Sequence, residues 1–396
     1  MRHDEQVRVM KELLAKLDAG TTVDAGGLRR NPASAYTDPE LAARERQVFF
    51  REHPQMVGFS GDLPEPGSFL TIDDLEVPIL ATRDSDGTFR AFVNACRHRG
   101  VPVESRERGT AKRFACPFHG WNYDTGGALV GLPKADHFGD VDKACLGLVE
   151  LPAVERYGLL YVHQDPGASI SVEALLGADL GAELATWDLG SLSYLCGDTY
   201  EVPCSWKLAM DTFGETYHFP VLHRDTLSPQ FHGNVQTYDT FGRNHRMVLA
   251  RRGIDAMRQQ PEDTWDITVA GQPVYWLFPN VQLLPFVFGV FIVRAYPVGE
   301  DPGRHVTRIS FYLKPEAVAG GNAEAIKLMA TANFADVVRD EDYLMSAQQQ
   351  RSASTGAVQS LLFGRNEPAL HHFHNTYRVA LDLPPLPLLD DSNAAG

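Results

Sequence analysis

Cys96-Arg97-His98-Arg99-Gly100 and Cys116-Pro117-Phe118-His119-Gly120-Trp121 each hold one thiol and one imidazole close enough in sequence to reach a single metal site. Together they read C-x-H, seventeen residues, then C-x-x-H. Two cysteines and two histidines so spaced match the ligand set of a Rieske [2Fe-2S] cluster, in which the histidines hold one iron and the cysteines the other. Neutral imidazoles in place of two thiolates make such a cluster less negative and raise its potential, roughly into the range −150 to +300 mV. A structural zinc site takes the same Cys2His2 set. Zinc fingers, however, follow their second pair with a helix. Here each pair follows a strand-like run, FRAFVNAC and KRFAC, and closes in a glycine-bearing turn. Two like loops facing one another form a cradle for a cluster, which makes the segment an electron carrier whose acceptor must be sought further along.

Around these loops, residues 54–165 consist of short alternating runs separated by turn signals. Asp84-Ser85-Asp86-Gly87 is a hairpin signal between two strand-like segments, and the run YGLLYVH ends at Asp165-Pro166-Gly167. This predicts a small antiparallel β domain over 46–166 with the metal loops at one end. Ahead of it, Val7, Met10, Leu13, Leu14 and Leu17 recur at helical spacing, so residues 1–45 read as an amphipathic helix and linker packing on the catalytic domain. Beyond Gly167, helical patterns such as SVEALLGADLGAELATW and NAEAIKLMATANFADVVRDEDYLMSAQQQRSAS alternate with strand candidates such as VYWLFPNVQLL and RHVTRISFYLK. An α+β domain over 167–396 follows, an antiparallel sheet with helices packed on it. The proline-rich tail LDLPPLPLLDDSNAAG reads as extended or frayed.

The 396 residues carry 51 acids against 36 bases, a formal net charge of −15 that repels phosphate and argues against nucleic acid or an anionic membrane surface as a partner. The most apolar run, VQLLPFVFGVFIV, has thirteen residues and contains Pro285, well short of the ~20 that span a bilayer. It reads as a buried strand pair. The N-terminal segment lacks the apolar core of a signal peptide, so a cytoplasmic location is expected. Five cysteines are too few and too unevenly placed for a disulfide framework, and Cys145, Cys196 and Cys204 are expected to be buried thiols.

A second constellation lies in SWKLAMDTFGETYHFPVLH, residues 205–223. Glu215 and His218, three apart, share a face if the segment is helical. His223 would turn away on a continuous helix, but the residue before Pro220 avoids the helical region, so the chain leaves the helix there and both imidazoles converge. Two histidines and one carboxylate form the facial triad that binds non-haem Fe(II) and leaves positions open. The carboxylate candidates are Asp340, Glu341 and Asp342. With Phe334, Val337, Val338, Leu344 and Met345 as the buried face, steps of ~100° put Glu341 nearest its centre and the two aspartates on its flanks, so periodicity does not choose among them.

On the residues CRHRG, CPFHGW, SWKLAMDTFGETYHFPVLH and EDYLMSAQQQR the chain resembles the large (α) subunit of Rieske non-haem iron ring-hydroxylating oxygenases. The resemblance implies a helix-grip catalytic domain, in which a curved antiparallel sheet wraps a long helix and encloses the substrate. It implies that Cys96, His98, Cys116 and His119 hold the cluster and that His218, His223 and Asp342 hold the iron, since the family's aspartate follows a glutamate and is trailed by a glutamine, here Gln350. Glu215 falls where the family places an acid that bridges His218 to the cluster histidine of a neighbouring subunit, with His119 as the expected partner. Most ring-dihydroxylating members carry aspartate there. Glutamate is similar to the branch that includes carnitine, choline and glycine-betaine monooxygenases. Ser205 stands in place of the common asparagine, and Thr212 replaces the asparagine often found just before the acid.

The activity so implied is that of a terminal oxygenase using O2 and electrons from a separate NAD(P)H-dependent reductase, directly or through a ferredoxin, because no dinucleotide fingerprint is present in the chain. The implied substrate is aromatic or otherwise hydrophobic, with demethylation of a quaternary amine or a methoxy compound as the alternative. A homotrimer, with or without small β subunits, is the implied assembly. Trp276, Phe278, Phe286, Phe288 and Phe291 are candidate cavity walls that could equally fill the core. His371, His372 and His374 read as structural or interfacial. A Rieske electron carrier without oxygenase activity and a zinc-stabilised binding protein are the readings of a different class.

Overall fold

The computed structural model describes residues 1–389, which form two compact units. One comprises Gln47–Val172 with Asp188–Ser193; the other comprises Met1–Arg46, Glu173–Trp187 and the chain from Tyr194 onward.

The first unit is built from antiparallel sheets. A five-stranded sheet runs in the order Glu150–Leu151, Phe89–Val93, Ile79–Arg83, Ser68–Ile72, Arg108–Thr110. A three-stranded sheet joins Ala153–Arg156, Leu159–Val162 and Gln55–Phe59, and another joins Arg113–Ala115, Asn122–Asp124 and Leu129–Gly131. The hairpin at Asp84 forms as its residues dictate: the Asp84 carboxylate accepts the Asp86 N–H at 2.7 Å, and Gly87 adopts φ 85°. That is a left-handed conformation glycine enters at no steric cost. Val57, Leu70, Ile79, Ala91 and Val162 fill the core, each worth about 1–3 kcal/mol of apolar burial according to size.

In the second unit a seven-stranded antiparallel sheet runs in the order Ser193–Val202, His305–Leu313, Gly289–Pro297, Val281–Phe286, Gly271–Leu277, Asn244–Arg251, Phe231–Phe241. VQLLPFVFGVFIV forms two adjacent strands of it, as its burial demanded. Side chains alternate between the faces of a strand, and in Asn244–Arg251 the alternation is clean. Val248 and Ala250 pack on Val9, Met10 and Leu13 of the N-terminal helix His3–Ala19. Met247 and Leu249 face the other way, onto Phe219 and Phe231. Arg246 lies on the N-terminal-helix side, where its guanidinium meets Glu183 and Glu5 at 2.6 Å and Asp239 at 2.7 Å. Removing a partner from such a buried cluster leaves an uncompensated charge, at a cost of about 3–5 kcal/mol.

The opposite face is covered by the helical run Ala323–Ala353 and, past it, by Pro368–Ala380. Phe334 packs edge-on against Phe291 of the sheet at 4.2 Å, and Phe373 against Trp276 at 4.6 Å. Several sequence expectations change. SVEALLGADLGAELATW is not one helix: Gly177 takes φ 74° and ψ 164° and breaks Val172–Ala185 in two. Of the three remaining cysteines only Cys204 is buried; Cys145 is exposed and Cys196 half-buried. The tail is not frayed as far as Leu389, because Leu386 is buried and Leu388–Leu389 pairs with Leu28 and Arg29. Its last residues, from 390 on, lie outside the described residues. Among the described residues no helix is long and apolar enough to cross a membrane.

Candidate functional site

The two Cys/His loops are the same structure built twice. In the first, the Cys96 N–H donates to the Val101 carbonyl at 2.8 Å and the Gly100 N–H to the Cys96 carbonyl at 2.8 Å. In the second, the Cys116 N–H donates to the Trp121 carbonyl at 2.8 Å and the Gly120 N–H to the Cys116 carbonyl at 3.0 Å. Gly100 and Gly120 both have left-handed φ, 76° and 70°, which explains why a glycine closes each loop. The thiols point inward, 4% and 3% exposed, while His98 is half-buried and His119 exposed. The histidine Nδ1 atoms face each other at 3.2 Å, and the His98 ring lies flat on Trp121 at 5.1 Å. The Tyr123 hydroxyl accepts the Arg97 N–H at 3.0 Å, which leaves its own hydrogen for Cys96 Sγ at 3.3 Å. Two buried thiols and two outward imidazoles fit a cluster with one thiolate-held and one histidine-held iron, and hydrogen bonds to sulfur are among the features that set its potential.

The second site starts from the helix Trp206–Asp211, whose first turn is capped by the Ser205 hydroxyl accepting the Lys207 N–H at 3.4 Å. The helix ends at Asp211, and residues 215–230 run as successive turns. Glu215 and His218 therefore do not meet across a helix face. Instead the Glu215 carboxylate folds back over its own turn, accepting the backbone N–H groups of Tyr217 and His218 and, at a short distance, the His218 Nδ1–H. His223 is fully buried, and its Nδ1–H donates to Glu341 Oε2 at 2.6 Å. With a glutamate behind each Nδ1, both Nε2 atoms turn toward Asp342 Oδ1, at 3.5 Å for His218 and 3.0 Å for His223.

One ligand atom from each of His218, His223 and Asp342 lies within 4.8 Å of the others, a set that could hold a metal ion. His218 Nε2 is buried without a hydrogen-bond partner, the orphaned donor atom that a metal would satisfy. Burial opposes the imidazolium form of His218, yet the Asp342 and Glu215 carboxylates outweigh it and raise its pKa to about 10. His223 is raised in the same way, against burial, by Asp342 and then Glu341. A carboxylate behind each imidazole fixes its orientation and raises its basicity as a ligand.

The three acids of residues 340–342 thus separate. Asp340 is exposed and bound to Arg339 at 2.6 Å; Glu341 supports His223 and accepts the Thr226 hydroxyl at 2.8 Å; Asp342 faces the centre. Steps of 100° had put Glu341 at the middle of the buried face and counted Leu344 among its residues. Phe334–Asp342 is instead wound as a π-helix, and Leu344 is exposed. The wider i→i+5 winding turns less per residue than an α-helix, so the face drifts and Asp342 comes inward.

Two cavities meet at this centre. One, of about 370 Å³, has largely apolar walls that include Phe219, Phe231, Leu284, Phe286 and Phe291, and reaches His218, His223 and Asp342. The other, of about 970 Å³ and more open, shares Glu215, His218 and Asp342 with it. Of the candidate wall aromatics, Phe286, Phe288 and Phe291 line the smaller cavity, whereas Trp276 and Phe278 pack on Tyr377 and fill the core.

Residues 53–152 match the Rieske [2Fe-2S] domain family, and residues 189–382 match the catalytic domain of the ring-hydroxylating alpha subunits. The chain joins a Rieske domain to a ring-hydroxylating alpha catalytic domain. The cofactors of the family's two domains are a Rieske [2Fe-2S] cluster and a mononuclear iron, and both donor sets described above suit them. The chain is 25% identical to the carnitine monooxygenase oxygenase subunit of Escherichia coli (strain K12) over 87% of its own length and 91% of the relative's. It is 31% identical to the biphenyl 2,3-dioxygenase alpha subunit of Rhodococcus jostii (strain RHA1) over 52% of its length. That match spans only 45% of the dioxygenase subunit. Two solved structures share its fold. One is a quaternary ammonium Rieske monooxygenase with L-carnitine, at TM-score 0.73 and 20% identity, covering 90% of this chain and 96% of the other. The other is naphthalene 1,2-dioxygenase from Rhodococcus sp., at TM-score 0.72 and 20% identity, covering 95% and 98%.

Sequence reasoning missed the support beneath residues 205–223. Lys207 is buried and bound to Glu45, whose other oxygen accepts the Trp206 indole N–H at 3.3 Å. Asp211 takes the Tyr36 hydroxyl at 2.7 Å and His374 Nε2 at 2.8 Å, so His374 anchors the helix end from which the turn to His218 departs. Gln350 accepts the Ser205 N–H at 2.9 Å and donates to the Tyr36 carbonyl at 3.1 Å, tying the helix after Asp342 to the one before Glu215. The only sequence signal for these contacts was polarity inside otherwise apolar runs.

Proposed function

We propose that this chain is the terminal oxygenase component of a multicomponent Rieske system, oxygenating a small organic substrate with O2 and electrons from a separate NAD(P)H-dependent reductase, directly or through a ferredoxin. The observation that carries the reading is the meeting of an apolar cavity and an open one at His218, His223 and Asp342. In it, Cys96, His98, Cys116 and His119 hold the cluster, and His218, His223 and Asp342 hold the iron. When bound, the cluster supplies single electrons and the iron supplies O2 activation at the positions a three-residue set leaves open.

The chain's own residues do the rest. The smaller cavity, with its largely apolar walls, holds the substrate against the triad. Glu215, 15% exposed and lining both cavities, keeps the His218 proton on Nδ1 and offers a hydrogen-bonded route to an incoming group. That group is His119 of a neighbouring copy, consistent with its exposure, which makes the assembly a homotrimer with or without small β subunits. All five cysteines are free, which supports a cytoplasmic setting.

The substrate is an aromatic or other hydrophobic compound, given the apolar walls. A second reading, demethylation or monooxygenation of a quaternary amine or methoxy compound, is favoured by Glu215 and by the near full-length likeness to an oxygenase subunit named for carnitine. The test is iron and sulfide analysis, visible and EPR spectra, and product-coupled O2 uptake with an added reductase. A second, non-cluster iron that disappears in His218→Ala, together with coupled product, is expected. Bound zinc, or a cluster with no second iron, would overturn the reading.

A further inference from the structure

The strand Asn244–Arg251 places two guanidiniums on opposite faces of one sheet. Arg246 has its charge paired by Glu183, Glu5 and Asp239 through its two terminal nitrogens, although its Nε, like that of Arg251, finds no partner. Arg251, five residues on and of opposite parity, lines the 370 Å³ cavity. Among the described residues no carboxylate pairs with it. Its contacts are the Phe231 ring, 4.9 Å below the guanidinium, and the Gln272 side-chain oxygen. Gln272 is uncharged and supplies no counter-ion; its amide donates to the Pro273 carbonyl at 3.0 Å and the Pro285 carbonyl at 2.7 Å, which holds its oxygen on the guanidinium. Arg251 Nε is buried without a partner. Burial alone pulls the Arg251 pKa down, to about 10, which still leaves it cationic at neutral pH.

Arg251 is half-buried with its Nε enclosed, and a cation so withdrawn from water without a counter-ion is costly unless a ligand completes it. Among the described residues the only carboxylates on the cavity wall, Glu215 and Asp342, are engaged at the histidines. From Arg251 the wall runs through Phe231 to Phe219, 5.6 Å between ring centres, and on to His223 at 5.3 Å. The cavity therefore has a cationic donor fork at one end, the triad at the other, and rings between.

Resting on the reading of this cavity as the substrate site, we infer that the substrate is an organic carboxylate. Its carboxylate seats on Arg251 beside Gln272, and its apolar body lies along Phe231 and Phe219 with the reacting carbon at the His218, His223 and Asp342 set. A planar carboxylate matches the guanidinium fork in two parallel hydrogen bonds, and about 370 Å³ suits a single ring or a short chain. A betaine satisfies the same rule through its acid end.

The test is calorimetric binding of benzoate and hexanoate to the iron- and cluster-loaded enzyme, each against its methyl ester and its sulfonate analogue. The wild type is expected to hold the acids at least ~10-fold tighter than the esters, the worth of a charge-assisted hydrogen bond. Arg251→Leu abolishes that preference and leaves ester binding within about threefold. Gln272→Glu, which supplies Arg251 with an internal carboxylate, abolishes it too, with retained iron, cluster spectra and thermal stability read on the same sample to show that the site is folded. Equal affinity for acid and ester in the wild type, a preference surviving Arg251→Leu, or sulfonates bound as tightly as carboxylates would each overturn the inference. Acid-selective binding without coupled O2 uptake on any substrate would sink the oxygenase reading and leave the carboxylate site standing.

Discussion

The two ligand sets proposed for this chain bring their donor atoms together in opposite ways. The cluster set spans 24 residues of sequence and is held by two copies of one local turn whose hydrogen bonds stay within each loop. In the triad, His223 and Asp342 are 119 residues apart, and Asp342 arrives on a helical run packed across a sheet. The local set leaves His119 exposed and stacks the half-buried His98 on Trp121. The distant set buries His223 and Asp342, leaves His218 half-buried, and puts a glutamate behind each histidine. A local turn orients a side chain through backbone hydrogen bonds alone, whereas ligands assembled from far apart need a second layer of partners to lock their rings.

The sharpest way to break the comparison is to remove one ligand from each set. Asp342→Ala is expected to lose the mononuclear iron and reduce turnover to background while the visible and EPR spectra of the cluster stay unchanged. Cys116→Ser should do the reverse. Loss of both centres in either variant would show that the two sets are not independent. Next in size is Glu215→Gln, expected to retain iron and cluster and lose ~100-fold in coupled turnover, the upper end of what such supporting carboxylates contribute. Near-normal product formation would remove its bridging role.

Glu341→Gln sharpens the comparison from the other histidine. It should weaken iron binding ~10-fold by loosening the His223 ring, read by iron titration of the apo-protein, with the cluster untouched. Proton linkage gives a smaller effect. In the iron-free protein the raised pKa of His218 contributes stability that is fully present below its unfolded value near 6.5 and lost as pH rises toward about 10. Iron needs the neutral ring, so its affinity should rise over the same window, read as iron retained after dialysis at pH 6, 7, 8 and 9. Affinity independent of pH would contradict this protonation scheme. The smallest effect is Ser205→Ala, which removes the cap of Trp206–Asp211 and should lower thermal stability by about 1 kcal/mol with both metals retained.

Legibility followed the same division. The two Cys/His loops, the N-terminal helix and the apolar strand pair could be read because each is governed by neighbours within a few residues: a glycine where φ is positive, a stripe at helical spacing, an unbroken apolar run. Glu341 and Asp342 could not be told apart by periodicity, since α-helical steps do not describe a π-wound segment. Glu215 and His218 were expected on one helix face and meet instead through a carboxylate folded over its own turn. His374 was read as structural or interfacial, and nothing nearby in sequence pointed to Asp211 as its partner.

By itself the sequence determined which residue types were available to metal, the local turns that pair Cys96 with His98 and Cys116 with His119, and the apolar runs that must be buried. Only the tertiary structure decided which of three adjacent acids faces the histidines, and why Arg246 is neutralised while Arg251 is left open to the cavity. Local conformation follows short-range sterics and hydrogen bonding. The counter-charges that complete a buried cation, or leave it waiting for a ligand, come from helices and strands that only packing brings together.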